Sequence, residues 1–545
     1  MLNLMKPDSL YNYGMKILTF SSKVKESEGV GWHRVGEDIN YFMNNYKRDN
    51  QRFQRFHYTF TFTHTFEHDD DVQYFAHCFP YTYSDLVEDL NRIEKDSSTQ
   101  NFYHRATLTR TLAGNKCEYL TITSKDKDPK SAKAMAKKGV FISARVHPGE
   151  SNASWMMKGV IEYLVSQTPE ARALRDNFVF KIVPILNPDG VINGNYRCSL
   201  SGQDLNRRWK APSRVIHPVN FAVKKLIRQF SKERNLVLYC DLHGHSRRKN
   251  IFMYGNNIRE RPHETRVFPY ILSKLCDFFS FEQSRFSMNR LKDGTARIAM
   301  FKELNIPNIF TLEASFCGAD RGEYKDCHFS TEYLMEAGRK LMEAVIVYCK
   351  IEVNHNIKAI RGKLPGRDTD AEIADEKDGV DGSSERKTLT YKDINAQALE
   401  KELHGNKKLI AMTMGDEGNS SGSDSEPSAD NLDADEIEKI VPQKPKKKEE
   451  PKKKAPPPPP PKKEIKPMKK PQSPPAQIKR PPVTKEMSKS PMKRPMFNAF
   501  DRLSLRKKKP EMKDAWTQTT PKSKEQLEKE RREHRQRKNA HYLML

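Results

Sequence analysis

The sequence predicts an α/β fold with a β-rich front and an unstructured tail, and three observations carry that reading. Between residues 83 and 352, short apolar runs of strand length alternate with stretches in which apolar residues recur every three or four positions. Before residue 83, the run Phe56-His57-Tyr58-Thr59-Phe60-Thr61-Phe62-Thr63 alternates large apolar and polar side chains, the period of a half-buried antiparallel strand. Past Val353 come an acidic Ser/Asp/Glu stretch, Lys-Pro tracts with six consecutive prolines at 456–461, and basic segments. Such compositions extend or repel themselves and bury no core, so 353–545 is expected to be a disordered tail.

In chain order, strands are expected at 15–20, 56–66 and 72–79, the last two joined by the acidic turn Glu67-His68-Asp69-Asp70-Asp71. His68 beside three aspartates resembles a metal cluster, but nothing fixes those side chains, and a solvated hairpin loop is the reading taken. The α/β region, 83–352, gives a helix at 85–93, strands at 117–123 and 140–146, and a helix at 151–164. A strand at 178–186 leads into an Asn/Gly/Asp-rich irregular stretch at 187–209. A helix at 219–230, a strand at 236–242, a helix at 266–279, a strand at 309–312 and a closing helix at 331–348 complete it. Within the tail, 525–539 reads as a solvated charged helix with no apolar face to hold it.

The totals narrow the class. A chain that is 31% charged, with a mean hydropathy of −0.82, is too polar to be folded throughout its 545 residues. A net charge of +25 attracts polyanions, whether nucleic acid, membrane surface or acidic protein segments, and does not choose among them. Eight cysteines without a C-x-x-C pair read as reduced thiols of an intracellular protein, not as a disulfide framework or zinc finger. No signal peptide and no apolar run of membrane-spanning length is found.

The chemistry starts at 138–164, a buried strand, the turn His147-Pro148-Gly149-Glu150 and an amphipathic helix. His147 and Glu150 therefore stand at the carboxyl end of a core strand, where open α/β sheets bind ligands. An imidazole and a carboxylate converging across a tight Pro-Gly turn offer a divalent metal two of the three protein ligands that an open catalytic site needs. His243 follows the strand at 236–242, and His245 shares its strand face, so either supplies the third. Glu313 ends another strand, and a carboxylate facing an open metal position is the group required to take a proton from water. Arg197 and the run Asp204-Leu205-Asn206-Arg207-Arg208-Trp209 follow the turn Asn187-Pro188-Asp189-Gly190. Their cations and amide suit a substrate carboxylate and an oxyanion. Each feature has a blander counterpart: a lone strand-end histidine is more often a core residue than a ligand, and loop arginines are usually solvated.

Seven segments in one order change that balance. His-Pro-Gly-Glu at 147–150, Asn-Pro-Asp-Gly-Val at 187–191, Asn-Tyr-Arg-Cys-Ser-Leu-Ser-Gly at 195–202 and Asp-Leu-Asn-Arg-Arg-Trp at 204–209 are followed by three more. These are Asp-Leu-His-Gly-His-Ser at 241–246, Ile-Phe-Met-Tyr-Gly at 251–255 and Thr-Leu-Glu-Ala-Ser-Phe-Cys-Gly at 311–318. Together they resemble the cytosolic carboxypeptidases, zinc metallocarboxypeptidases that remove glutamates from tubulin, over about residues 3–350. The resemblance implies an antiparallel β-sandwich at 1–82 and a carboxypeptidase-like domain at 83–352, with an eight-stranded mixed sheet flanked by helices. It also implies one zinc ion, and as partners polyglutamylated tubulin, microtubules and other acidic protein tails, with no specific nucleic acid and no membrane span. A cytoplasmic monomer at the cytoskeleton, cilium or basal body fits that reading.

Carried over by motif, the resemblance makes His147, Glu150 and His243 the zinc ligands and Glu313 the general base. Arg197 becomes the oxyanion stabiliser, Asn206 and Arg207 the clamp on the terminal carboxylate, and Asp204 the carboxylate that orients the first histidine. Arg297 falls close to where related carboxypeptidases select the terminal side chain, and a guanidinium there suits glutamate. The chain departs from the pattern twice. No counterpart of the mobile loop tyrosine of secreted relatives lies between Phe286 and Phe301, and fewer strands precede Leu4 than in family members, so the sandwich reads as shortened. The rival readings are an inactive relative that binds microtubules through its basic tail, and a zinc deacylase of small acyl amino acids.

Overall fold

The computed structural model describes residues 1–47, 56–355 and 390–414. The amino-terminal region contributes β1 (Ile17–Ser21), β2 (His33–Val35), β3 (Glu37–Lys47), β4 (Phe56–Thr63) and β5 (Gln73–Ala76). After it come β6 (Tyr103–Arg110), β7 (Lys116–Ile122), β8 (Lys138–Ala144), β9 (Phe178–Val183), β10 (Leu236–His245), β11 (Ile251–Tyr254) and β12 (Ile309–Ser315). The seven later strands form one sheet in the order β11-β12-β10-β8-β9-β7-β6. Its four central strands, β12, β10, β8 and β9, run parallel, and the flanking pairs are antiparallel. Seven strands stand among the described residues where eight were expected. The antiparallel edge strands β6 and β11 were not anticipated, because polar residues interrupt the first and the second is only four residues long.

Helices cover both faces of the sheet. On one side Ser151–Val165, Glu264–Leu275 and Thr331–Cys349 pack over Ile142, Ala144, Leu242 and Leu312. On the other, Pro218–Glu233 and Ala296–Leu304 pack over Phe141, Val183 and Tyr239. A central strand covered on both faces reads as a continuous apolar run, which is why 140–144 was legible. The helices Ser151–Val165 and Thr331–Cys349 cross at two glycines. A Cβ on Gly159 would come within 2.0 Å of the Met335 carbonyl oxygen, and one on Gly338 within 2.0 Å of that of Met156.

The amino-terminal strands make two small antiparallel sheets, β2-β1-β5 and β3-β4. They share a core of Leu10, Tyr11, Met15, Ile17, Tyr41 and Phe60 that continues into Phe316 and Cys317, just beyond β12. The expected hairpin between 56–66 and 72–79 does not form: β4 pairs with β3, and β5 with β1. The aromatic face of β4 finds its partner in β3, where Tyr41 stacks on Tyr58 with centroids 5.7 Å apart. The acidic turn is solvent-exposed as expected, with Glu67, Asp69 and Asp70 at the surface, but it is also tied down at its end. Asp71 accepts hydrogen bonds from the Ser21 hydroxyl, at 2.5 Å, and the Lys23 N–H, at 3.0 Å, which delivers β5 to β1.

The tail also departs from expectation. Residues 390–414, inside the stretch read as disordered, form a 3-10 turn (Tyr391–Asp393) and two helices (Ala396–Gly405 and Lys407–Met412), with Leu403 fully buried. Tail-wide composition averaged out this short segment, whose Ala396, Leu399, Leu403 and Ile410 keep helical spacing. The acidic stretch, the proline tracts and the charged helix at 525–539 lie outside the described residues. Among the described residues no helix is long and apolar enough to cross a membrane.

Candidate active site

Three adjacent parallel strands bring the chemistry together at their carboxyl ends. β8 runs into the turn that carries His147 and Glu150, β10 carries His243, and β12 carries Glu313. His243 and Glu313 are register partners across β10 and β12. Paired residues of parallel strands project to the same face, so the half-buried Glu313 projects to the same side of the sheet as His243.

The turn after β8 is held by a residue that motif reading passed over. Arg145 adopts a left-handed backbone conformation, with φ +58°, and is buried. Its Nε donates to the Pro148 carbonyl at 2.8 Å, and its Nη1 to the Tyr81 carbonyl at 3.0 Å and the Ser154 hydroxyl at 2.8 Å. Gly149 has no room for a side chain, since a Cβ would sit 2.7 Å from the Tyr196 carbonyl oxygen, which accepts the Gly149 N–H at 2.8 Å. This contact fastens the ligand turn to the loop that bears Arg197.

Glu150 occupies the N-cap position of the helix Ser151–Val165 but makes no side-chain cap bond. Its carboxylate points to the two histidines instead. Oε1 lies 2.8 Å from His147 Nδ1, and Oε2 lies 3.0 Å from His243 Nδ1 and accepts the Gly244 N–H at 3.1 Å. The far ring nitrogens are each held by an aspartate: His147 Nε2 pairs with Asp204 Oδ1 at 3.1 Å, and His243 Nε2 with Asp241 Oδ2 at 2.8 Å. Asp241 in turn accepts the Ser143 hydroxyl at 2.7 Å.

This donor set fits a zinc ion. His147, Glu150 and His243 are buried, and one ligand atom from each lies within 4.8 Å of the other two. His147 Nδ1 is a buried nitrogen without a hydrogen bond, since its contact with Glu150 is close but badly angled. Two imidazole nitrogens and a carboxylate, with the opposite ring nitrogens on carboxylates, match the ligand chemistry and outer support of zinc sites. Burial works to raise the Glu150 carboxyl, but its close contacts with the His147 and His243 imidazoles win and hold it well below the usual carboxylate range. Burial likewise opposes the charge on Asp204, and His147, Arg197 and Arg207 outweigh it.

His245, the alternative to His243, lies outside the cluster. Its Nδ1 accepts the backbone N–H of Arg247 at 3.3 Å and of Arg248 at 3.0 Å, closing the loop after β10. Around the cluster, Arg197 grips Asp204 Oδ2 through Nε at 2.9 Å and Nη2 at 2.8 Å, and its Nη1 stands 3.9 Å from Glu150 Oε1. Asp204 also accepts the Asn206 N–H at 2.8 Å. The Asn206 side-chain oxygen accepts the Ala296 N–H at 3.0 Å, which joins the loop of Asn206 and Arg207 to the helix bearing Arg297. Arg207 Nη1 stands 3.8 Å from Asp204 Oδ2. Arg297 is buried, its Nη1 donating to the Gly255 carbonyl, to Asn256 Oδ1 at 3.4 Å and to the Ser287 carbonyl at 3.4 Å.

All nine sequence-derived residues thus fall in one neighbourhood or on elements bonded directly to it. Asp241 and Arg145 were missed. Asp241 had a signal, lying two residues before His243 on the same strand face; Arg145 had none beyond its place in the turn.

Comparison with known proteins agrees with this geometry. Residues 93–320 match the zinc carboxypeptidase family. Cytosolic carboxypeptidase 2 of Xenopus tropicalis is 46% identical over 352 residues, covering 64% of this chain and 36% of that protein. Cytosolic carboxypeptidase 3 of Bos taurus is 44% identical over 352 residues, covering 64% and 34%. The chain thus spans about a third of the length of these curated relatives. A metallo-carboxypeptidase from Burkholderia cenocepacia superposes with a TM-score of 0.50 at 23% identity, over 62% of this chain and 81% of that one, a likeness of fold.

Proposed function

We propose that the chain, whose residues 93–320 match the zinc carboxypeptidase family and whose curated relatives are named cytosolic carboxypeptidases, is a zinc-dependent metallocarboxypeptidase specific for carboxy-terminal glutamate. Its substrates are polyglutamylated tubulin and other acidic protein tails, met by a monomeric enzyme in the cytoplasm, at the cytoskeleton, cilium or basal body. The convergence of His147, Glu150 and His243 beside Glu313 is the observation that carries the reading.

His147, Glu150 and His243 would hold the zinc ion, which would supply Lewis acidity to water and to the scissile carbonyl. Glu313 takes the proton from the attacking water and delivers it to the leaving amine nitrogen. Arg197 donates to the oxyanion that develops on the carbonyl oxygen. Asn206 and Arg207 hold the terminal carboxylate, and the Arg297 guanidinium favours an acidic side chain. Asp204 keeps His147 in position and anchors Arg197. Lys6 adds a cation nearby, bonded to the Ser246 hydroxyl at 2.7 Å and the Tyr196 hydroxyl at 3.0 Å, and the net charge of +25 suits an acidic partner.

The test is incubation of the purified, zinc-loaded protein with a peptide ending in several glutamates. Mass spectrometry is expected to show stepwise loss of glutamate, abolished by a chelator. Glu313→Gln is expected to bind zinc and turn over about 10²–10⁴-fold more slowly. A Glu313→Gln enzyme of normal activity overturns the mechanism.

A further inference from the structure

Residues 390–414 return to the α/β region and are fixed along their length. At the start, the Tyr391 hydroxyl donates to Glu170 Oε1 at 2.7 Å. Along the helix Ala396–Gly405, Glu402 accepts the Tyr270 hydroxyl at 2.6 Å, and the His404 and His263 rings meet edge-on with centroids 4.5 Å apart. The segment ends at Thr413, which is fully buried.

Thr413 meets the core at two points. Its hydroxyl accepts from Arg266 Nε at 2.8 Å, and its carbonyl accepts the Phe286 N–H at 3.1 Å. Arg266 is itself fully buried, and the rest of its guanidinium rests on neutral groups, among them the Pro262 carbonyl at 2.6 Å and Asn257 Oδ1 at 3.2 Å. A buried guanidinium that loses an acceptor is strongly destabilised, so the Arg266–Thr413 contact holds the segment in place.

The second point leads to the active site. The Phe286 ring lies 4.3 Å from the Arg266 guanidinium carbon and fills the space beside Gly255, where a Cβ would come within 2.4 Å of the ring. The Gly255 N–H is bonded to the Arg285 carbonyl at 2.8 Å. The carbonyls of Gly255 and Ser287, on either side of Phe286, are acceptors that hold Arg297. Thr413 therefore braces the stretch that forms the carbonyl cage around Arg297.

We propose that residues 390–414 are a built-in clamp that positions Arg297, making Thr413 a positioning residue for selection of the terminal side chain; this rests on the role proposed for Arg297. When the clamp is loosened, the cage shifts, and a guanidinium displaced by about one ångström no longer meets a glutamate carboxylate squarely.

The experiment uses the full-length, zinc-loaded protein and two peptides that differ only in a terminal glutamate or glutamine. Thr413→Val is expected to raise KM for the glutamate peptide about five- to tenfold, with kcat within about twofold and the glutamine peptide unaffected. Amide exchange at Phe286 is expected to quicken, and Thr413→Ser to behave as the native protein. Leu403→Ala loosens the clamp from its other end and is expected to reproduce the effect should Thr413→Val not fold. Arg297→Gln is expected to erase the preference for glutamate over glutamine. Thr413→Val and Leu403→Ala proteins that melt earlier but keep the native preference overturn the clamp and leave the carboxypeptidase reading standing. An Arg297→Gln protein with native preference overturns the pocket role and the clamp with it.

Discussion

Asp241 stands two residues before His243 on the same strand face and pairs with its Nε2 at 2.8 Å, leaving Nδ1 turned toward Glu150. The aspartate thereby sets both the orientation and the tautomer of the imidazole proposed as the third metal ligand. Asp241→Asn keeps the shape but exchanges an acceptor for an ambiguous amide. It is expected to weaken zinc binding about 10- to 100-fold, measured by competition with a chelator, with little change in the melting temperature of the metal-free protein.

The ligand turn depends on Arg145 in a similar way. Lysine at that position cannot reach the Pro148 carbonyl, the Tyr81 carbonyl and the Ser154 hydroxyl at once. Arg145→Lys is expected to lose about 3 kcal/mol of stability in denaturant unfolding and to release zinc faster, as two charge-assisted hydrogen bonds vanish.

The glycine crossing tests the packing independently of the site. Gly159→Ala sets a methyl group 2.0 Å from the Met335 carbonyl oxygen, a backbone atom that yields only if the helices separate. A loss of about 1–3 kcal/mol is expected by calorimetry.

Acid sensitivity should originate where the amino-terminal sheets meet the α/β region. His77 hydrogen-bonds the Tyr11 hydroxyl and packs on Phe316, and burial followed by the charges of Arg34 and Lys6 pushes it down to about 3. His328 accepts the Lys16 N–H and is pushed down to about 4, by burial and then by Arg34, Lys16 and Lys249. Both are neutral when folded and take up a proton near pH 6.5 when unfolded. The unfolded chain thus binds more protons below that pH. Stability present above pH 6.5 is expected to fall as the pH drops toward 4, and for His77 toward 3, by at most about 1.4 kcal/mol per pH unit for each histidine. His77→Gln should flatten that slope in urea titrations; an unchanged slope counts against the assignment.

Legibility followed burial. The central strands and the helices Ser151–Val165 and Thr331–Cys349 were read to within a few residues, because an element covered by the core must carry an uninterrupted apolar pattern. The candidate ligand cluster of His147, Glu150 and His243 was readable because its residues sit at the ends of such strands. What escaped was fixed by contacts between distant segments: the pairing of β4 with β3, the edge strand β11, the buried Arg145, and the docking of 390–414 through Arg266 and Thr413. Periodicity within one window has no access to a partner 147 residues away.

His147 and Glu150 reach their third companion, His243, only through the pairing of β8 with β10. No unfolded chain holds the trio together, so metal occupancy and folding are a single coupled equilibrium. Above saturation, each tenfold rise in free zinc is expected to add about 1.4 kcal/mol to the stability of the native state. Thermal denaturation across a zinc series therefore reports occupancy of the site with no substrate in the tube.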